Sequence, residues 1–195
     1  MRHTARLITV VLACAAAPVV AQEDAENRHT RQGFFFGFGL GGGSAGLECE
    51  ACGVEFDRQS GLSGTLRLGG SVSQTVQLGV ATNGWYKTEN NLTYRLGFLS
   101  AILVLYPSRQ EGFFFQLGLG GMSGVVEDDF DEITTLGGAA MLGIGYDIRV
   151  GSNVSLTPYA NALGSSGNLE VNGTEILDAD FNPNLFQFGL AISTH

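Results

Sequence analysis

Leu142-Gly143-Ile144-Gly145-Tyr146-Asp147-Ile148-Arg149-Val150 decides how this chain is read. Large apolar residues hold one parity, and Gly143, Gly145, Asp147 and Arg149 hold the other. Successive side chains of a β-strand point to opposite faces, so a period of two describes a strand with one bulky face and one small or charged face. A soluble sheet would bury the bulky face and wet the other. A strand crossing a membrane as part of a closed cylinder does the reverse.

The same period recurs in eight segments: 33–44, 61–72, 75–86, 92–106, 112–123, 135–150, 153–163 and 185–194. Sorting each by parity collects one bulky set. It contains Phe34, Phe36, Phe38 and Leu40; Leu62, Leu66 and Leu68; Leu78 and Val80; Tyr94, Leu96, Phe98, Ile102, Val104 and Tyr106; Phe113, Phe115, Leu117 and Leu119; Leu142, Ile144 and Tyr146; Val154 and Leu156; and Phe186, Phe188, Leu190 and Ile192. No charged residue falls in this set, although a Lys or Arg facing lipid at mid-membrane would cost about 2–4 kcal/mol. The opposite parity carries Arg67, Gln77, Asn83, Arg95, Gln116, Asp147, Arg149, Tyr159, Asn161 and Gln187 among many glycines. Eight strands enclose only enough space for side chains, so the small and polar set fits inside and the bulky set faces outward. The expected fold is all-β, an eight-stranded antiparallel up-and-down transmembrane β-barrel.

The connections alternate in length. Ser73-Gln74, 107–111 and Gly151-Ser152 are tight, whereas 45–60, 87–91, 124–134 and 164–184 read as loops and are mostly long. Of the 19 acidic residues, 14 fall in those four loops, with Arg58 and Lys87 as the only Arg or Lys there. Within the last loop, Asn172-Gly173 between alternating residues predicts a hairpin that projects as a ribbon. Phe34, Tyr106, Phe113 and Tyr146 fall near one rim, and Tyr86, Tyr94 and Phe186 near the other, which suits rings at headgroup level. Pro158 removes a ladder donor and predicts a bulge.

Composition agrees with this reading. Glycine supplies 29 of 195 residues, 44% are hydrophobic and 15% charged, too apolar for a disordered chain. An excess of 19 acids over 10 bases excludes a nucleic-acid backbone as partner. Arg2 and Arg6 precede an apolar run, and Val19-Val20-Ala21 offers a cleavage site, so 1–21 is expected to be a signal peptide, 22–32 a flexible periplasmic leader and 33–195 the barrel. Lipoprotein processing at Cys14 is the other possibility. After removal of the signal, Cys49 and Cys52 form a pair that a disulfide would join in an oxidising compartment.

These residues carry a resemblance. Gly143 to Val150 running into Asn153-Val154-Ser155-Leu156-Thr157-Pro158-Tyr159, the glycine-spaced Phe34 to Gly43, and the closing Asn182 to Leu190 resemble the small outer-membrane β-barrel proteins of Gram-negative bacteria, the group with the OmpA-, OmpX- and OmpW-like barrels. The resemblance implies an outer-membrane location. It implies as partners membrane lipid, lipopolysaccharide and the barrel-assembly machinery.

No enzyme motif survives its context. Gly37 to Gly42 satisfies G-x-G-x-x-G without a following helix, and Gly42 to Gly46 satisfies G-x-S-x-G without a strand-to-helix elbow. His3 leaves with the signal, His29 precedes the barrel and His195 is the last residue, so no histidine is expected on the barrel wall to activate a serine. Glu127, Asp128, Asp129, Asp131 and Glu132 form the densest acidic run; it lacks EF-hand spacing and reads as a solvated loop, with weak Ca²⁺ or Mg²⁺ binding as the functional alternative. No other cofactor is expected. Inside, Arg67, Arg95 and Arg149 need a counter-charge, and Asp147 is the evident one, with Gln77, Gln116 and Tyr159 nearby as a polar plug. The expectation is a monomeric, non-enzymatic barrel serving envelope structure or surface interaction. The alternatives are a narrow passive channel for small or hydrophobic solutes and a membrane-embedded lipid hydrolase.

Overall fold

The computed structural model describes residues 31–49, 54–89, 92–127, 132–171 and 174–195. They form β1 (Gly33–Cys49), β2 (Val54–Ser71), β3 (Val76–Glu89), β4 (Leu92–Leu105), β5 (Phe113–Glu127), β6 (Glu132–Tyr146), β7 (Ile148–Arg149), β8 (Val154–Val171) and β9 (Thr174–Thr194). Each long strand pairs antiparallel with its neighbour in the chain, while β1 also pairs β9 and β6 pairs β8. The sheet is therefore closed, and β7 is the last part of the β6 wall. This is the expected eight-stranded up-and-down barrel, in which the closed ladder leaves no strand edge open to lipid.

At one end the strands join by tight turns. The Val72 and Ser73 amides both donate to the Val76 carbonyl, and those of Val150 and Gly151 both donate to the Val154 carbonyl. The other end differs from the sequence reading. Segments taken there as loops are largely strand: pairing continues to Cys49↔Val54, Glu127↔Glu132 and Val171↔Thr174. A membrane crossing needs only about 9–11 tilted residues, whereas β1, β2, β8 and β9 run for 17, 18, 18 and 21. They leave the hydrocarbon as ribbons, because backbone pairing persists where neither face has to be apolar. Residues Asn172 and Gly173 lie outside the described residues, as do Cys52 of the expected disulfide and the segment 1–30, which includes the expected signal peptide.

The faces are those expected on most of the wall. Phe36, Leu117 and Ile144 are 40%, 41% and 48% exposed, and Arg67 is 6% exposed. β4 is the exception, with its faces inverted. Phe98 and Val104 are 1% and 0% exposed inside the barrel, and Leu99 is 64% exposed outside. Leu96, Ile102 and Tyr106 are buried with them, so Tyr106 belongs to the lumen and not to an aromatic rim. Arg95 is accordingly exposed on the outer face and is no part of the interior. β4 is apolar on both parities, so bulk alone could not phase it. The lumen needs its large residues because other strands contribute so little: the Phe114 ring lies on Gly145, and a Cβ at Gly43 would come within 2.9 Å of Trp85.

The bulge expected at Pro158 is absent. Gly145↔Tyr159 and Ile148↔Leu156 keep one register across it. The ladder is instead interrupted between β6 and β7, which leaves Asp147 opposite Thr157 with its amide donating to the Gly112 carbonyl at 2.9 Å. Register shifts occur at Ala45/Leu47 and Gly167/Leu169, both toward the ribbon end.

Candidate functional site: the barrel lumen

Inward parity on eight strands delivers side chains to one narrow column, and their chemistry changes along it. Nearest the tight turns is a charged tier. The Asp147 carboxylate accepts from the Tyr106 hydroxyl at 2.9 Å and from the Thr157 hydroxyl at 2.7 Å. Arg67 donates to Gln116 Oε1 at 3.3 Å and to Ser193 Oγ at 2.9 Å, and its guanidinium stacks 4.8 Å from the Phe114 ring. Ser193 Oγ in turn lies 3.1 Å from Thr157 Oγ1. Arg67 and Asp147 are thus linked through two hydroxyls and not as a direct ion pair. Relays of this kind suit a low-dielectric interior, where a buried charge needs its polar neighbours satisfied.

Two residues outside the strand pattern complete the tier. Arg31, expected in a flexible leader, is buried. Its guanidinium sits 3.5 Å from the Tyr106 ring centroid and donates to the Glu111 carbonyl at 2.6 Å, while its amide donates to Gln74 Oε1. His195 folds back into the same end, with Nε2 3.2 Å from Asp147 Oδ2 and Nδ1 3.4 Å from Gln77 Nε2. A histidine does therefore reach the barrel interior, contrary to the sequence expectation. Gln77 also donates to Ser71 Oγ at 3.1 Å. Neither Arg31 nor His195 lies within a periodic stretch, so nothing in the strand pattern could have found them.

Above lies an amide tier. Asn83 Oδ1 accepts from Gln187 Nε2 at 2.7 Å and from Asn161 Nδ2 at 3.5 Å, and Asn83 Nδ2 donates to Met141 Sδ. Toward the ribbons the filling is apolar: Trp85, Leu96, Met122, Leu163 and Leu185 are buried together, with the Trp85 indole donating to the Gly43 carbonyl at 3.2 Å. Between the charged and amide tiers a void of about 10 Å³ remains, lined by Arg67, Phe114, Gln116, Tyr159 and Asn161 among others. That is room for about one water.

The predicted network is thus brought together in part. Arg67, Asp147, Gln77 and Gln116 share the charged tier. Tyr159 lies beside them with its ring near Gly39, but its hydroxyl has no hydrogen-bond partner among the described residues. Arg95 is outside the barrel. Arg149 is half-buried and donates to the Ser152 carbonyl in its own turn at 2.5 Å. Of the acidic run, Glu127 and Glu132 are a cross-strand backbone pair, and Asp128, Asp129 and Asp131 lie outside the described residues. Cys49 faces Val54 across the β1–β2 pair.

No protein-family profile matches the chain, and no characterised protein sequence does either. Solved structures do match. Neisserial surface protein A superposes with a TM-score of 0.54 at 14% identity, covering 83% of this chain and 96% of that one. Ail, the attachment invasion locus protein of Yersinia pestis, gives 0.51 at 9% identity, covering 83% and 99%, and its complex with the heparin analogue sucrose octasulfate gives 0.52 at 11%. At such identities the likeness is one of fold. Closure, outward-facing apolar wall and these superpositions agree, and the chain has the fold of the small outer-membrane eight-stranded β-barrels.

Proposed function

We propose that the chain is a monomeric, non-enzymatic protein of the outer membrane, exported by its 1–21 segment, whose barrel anchors acidic ribbons at the cell surface for envelope structure or surface interaction. The filled lumen carries this reading. Charged, amide and apolar tiers follow one another along the barrel, and the void between the first two holds about one water. A solute path would have to displace Arg67, Asn83 and Trp85, each tied to a partner on another, non-adjacent strand. The hydrolase alternative gains a buried histidine, but among the described residues its Nδ1 faces the Gln77 amide and its Nε2 the Asp147 carboxylate.

Membrane fractionation followed by gel migration with and without heating tests location and closure together: the expected result is a compact unheated species in the outer-membrane fraction. Planar-bilayer recordings test the seal. Stable large conductance from monomers would favour the channel reading instead. The acidic ribbon ends are proposed to bind Ca²⁺ or Mg²⁺ weakly, through hard carboxylate oxygens. Calcium titration is expected to slow ribbon proteolysis and raise the melting temperature, and no change in either removes that part of the proposal.

A further inference from the structure

The chain enters the barrel through a conformation that glycine alone adopts without strain. Gly33 stands where the β1–β2 ladder begins, opposite Ser71, and among the described glycines it alone has a positive φ, +80°. A Cβ there would meet nothing within 4 Å, so the glycine serves the direction of the chain and not a close contact. Arg31 lies two residues before that ladder, and its contacts carry it across the tight-turn mouth of the lumen.

The reach is from one side of the mouth to the other. The Arg31 amide donates to Gln74 Oε1 in the β2–β3 turn at 3.2 Å, and its guanidinium donates to the Glu111 carbonyl in the β4–β5 turn at 2.6 Å. β5 is four strands from β1 around a barrel of eight, diametrically opposite. On the way the guanidinium stacks on the Tyr106 ring, whose hydroxyl donates to Asp147 Oδ2, and that oxygen also lies 3.2 Å from His195 Nε2. Arg31, Tyr106, Asp147 and His195 so form one bridge over the mouth, and the side chains of Asp147 and His195 are 0% and 3% exposed. The bridge is not held evenly. The Asp147 amide is bonded to the Gly112 carbonyl and its carboxylate to Thr157 of the facing strand. Arg31 lies outside the ladder, held by two hydrogen bonds and a ring face, so it can come away without breaking a rung of the wall.

We propose that Arg31 is a latch on the tight-turn mouth of the lumen. Held, it screens the Asp147–His195 pair from water; released, it opens that mouth while the barrel wall stays closed. Gly33 is the pivot, and the charged tier, not the apolar filling, is what the opening exposes. Local opening of this kind needs only the contacts of the opening piece to be lost, not those of the whole fold. The inference concerns the barrel's own turn end and does not depend on the outer-membrane reading.

The imidazole of His195 reports the latch. The full mature protein, refolded in detergent, is treated with diethyl pyrocarbonate, and acylation of His195 is followed by peptide mass spectrometry. Arg31→Ala should raise the His195 rate roughly five- to tenfold over the parent, the size of one lost ring stack in a local opening. Gly33→Ala, which keeps the Arg31 side chain but opposes the left-handed turn, should raise it in the same direction and by less. Leu185→Ala, which weakens the apolar end, should leave His195 as protected as in the parent. An unchanged rate in Arg31→Ala overturns the proposal, and so does a rise in Leu185→Ala as large as that in Arg31→Ala, which would make the exposure a matter of general stability. Heat-modifiable migration of each sample reports the wall separately. Loss of the compact unheated species in Arg31→Ala also overturns the latch, because its release leaves the barrel closed.

Discussion

The two ends of the lumen solve the same filling problem with opposite chemistry. At the turn end, Asp147, Arg67, Arg31 and His195 are gathered with hydroxyls and amides. At the ribbon end, Trp85, Met122, Leu163 and Leu185 pack as they would in a soluble core. Apolar filling is held by contact and tolerates small rearrangements. A charged filling is held by complementarity, and removing one partner strands the others in low dielectric. The difference teaches that the barrel has a forgiving end and an unforgiving one. It also explains why residues from outside the strand pattern converge on the latter: buried charges need partners wherever the chain can supply them.

That contrast can be broken by mutation. Asp147→Leu should be the most damaging, since it leaves the Tyr106 and Thr157 hydroxyls buried without their acceptor and the tier without its carboxylate charge; a loss of about 3–5 kcal/mol is expected in urea unfolding of the refolded barrel. An unchanged unfolding midpoint would remove the distinction between the ends. Leu185→Ala at the apolar end should cost about 2–3 kcal/mol, by deleting contacts and leaving a cavity. Arg31→Ala should cost about 1 kcal/mol, the scale of one cation–π contact, with heat-modifiable migration retained. Phe36→Leu, on the outer face, should shift stability by less than about 0.5 kcal/mol, because lipid occupies whatever the ring vacates. If Phe36→Leu proved costlier than Leu185→Ala, the assignment of inside and outside would be reversed.

The wall was legible wherever one parity was glycine. In β6, Gly143 and Gly145 leave no doubt which face Leu142, Ile144 and Tyr146 share. β4 gives no such sign: Leu99, Leu103 and Leu105 compete with Phe98, Ile102 and Val104. Arg95 gives a false sign, because a charge on a membrane strand reads as a lumen residue. It lies toward the strand's ribbon end, where a charge facing outward costs only about 0–1 kcal/mol. Ser100, buried beside Phe98 and Ile102, carried the true phase. The Asp147–Arg67 pairing could be read from parity and charge, since both sit on inward positions. Its relay through Ser193 and Thr157 depends on how strands distant in sequence are brought together, and a strand period does not report that.

Pro158 leaves one further mark. A backbone rung cannot be mutated away, because every residue except proline carries the same donor. At the break between β6 and β7 the span from Asp147 to Thr157 is made by a carboxylate and a hydroxyl instead. One stave of the cylinder is therefore fastened to the next at this point by side chains, and a single codon change there can loosen a joint that the rest of the circumference keeps beyond the reach of substitution.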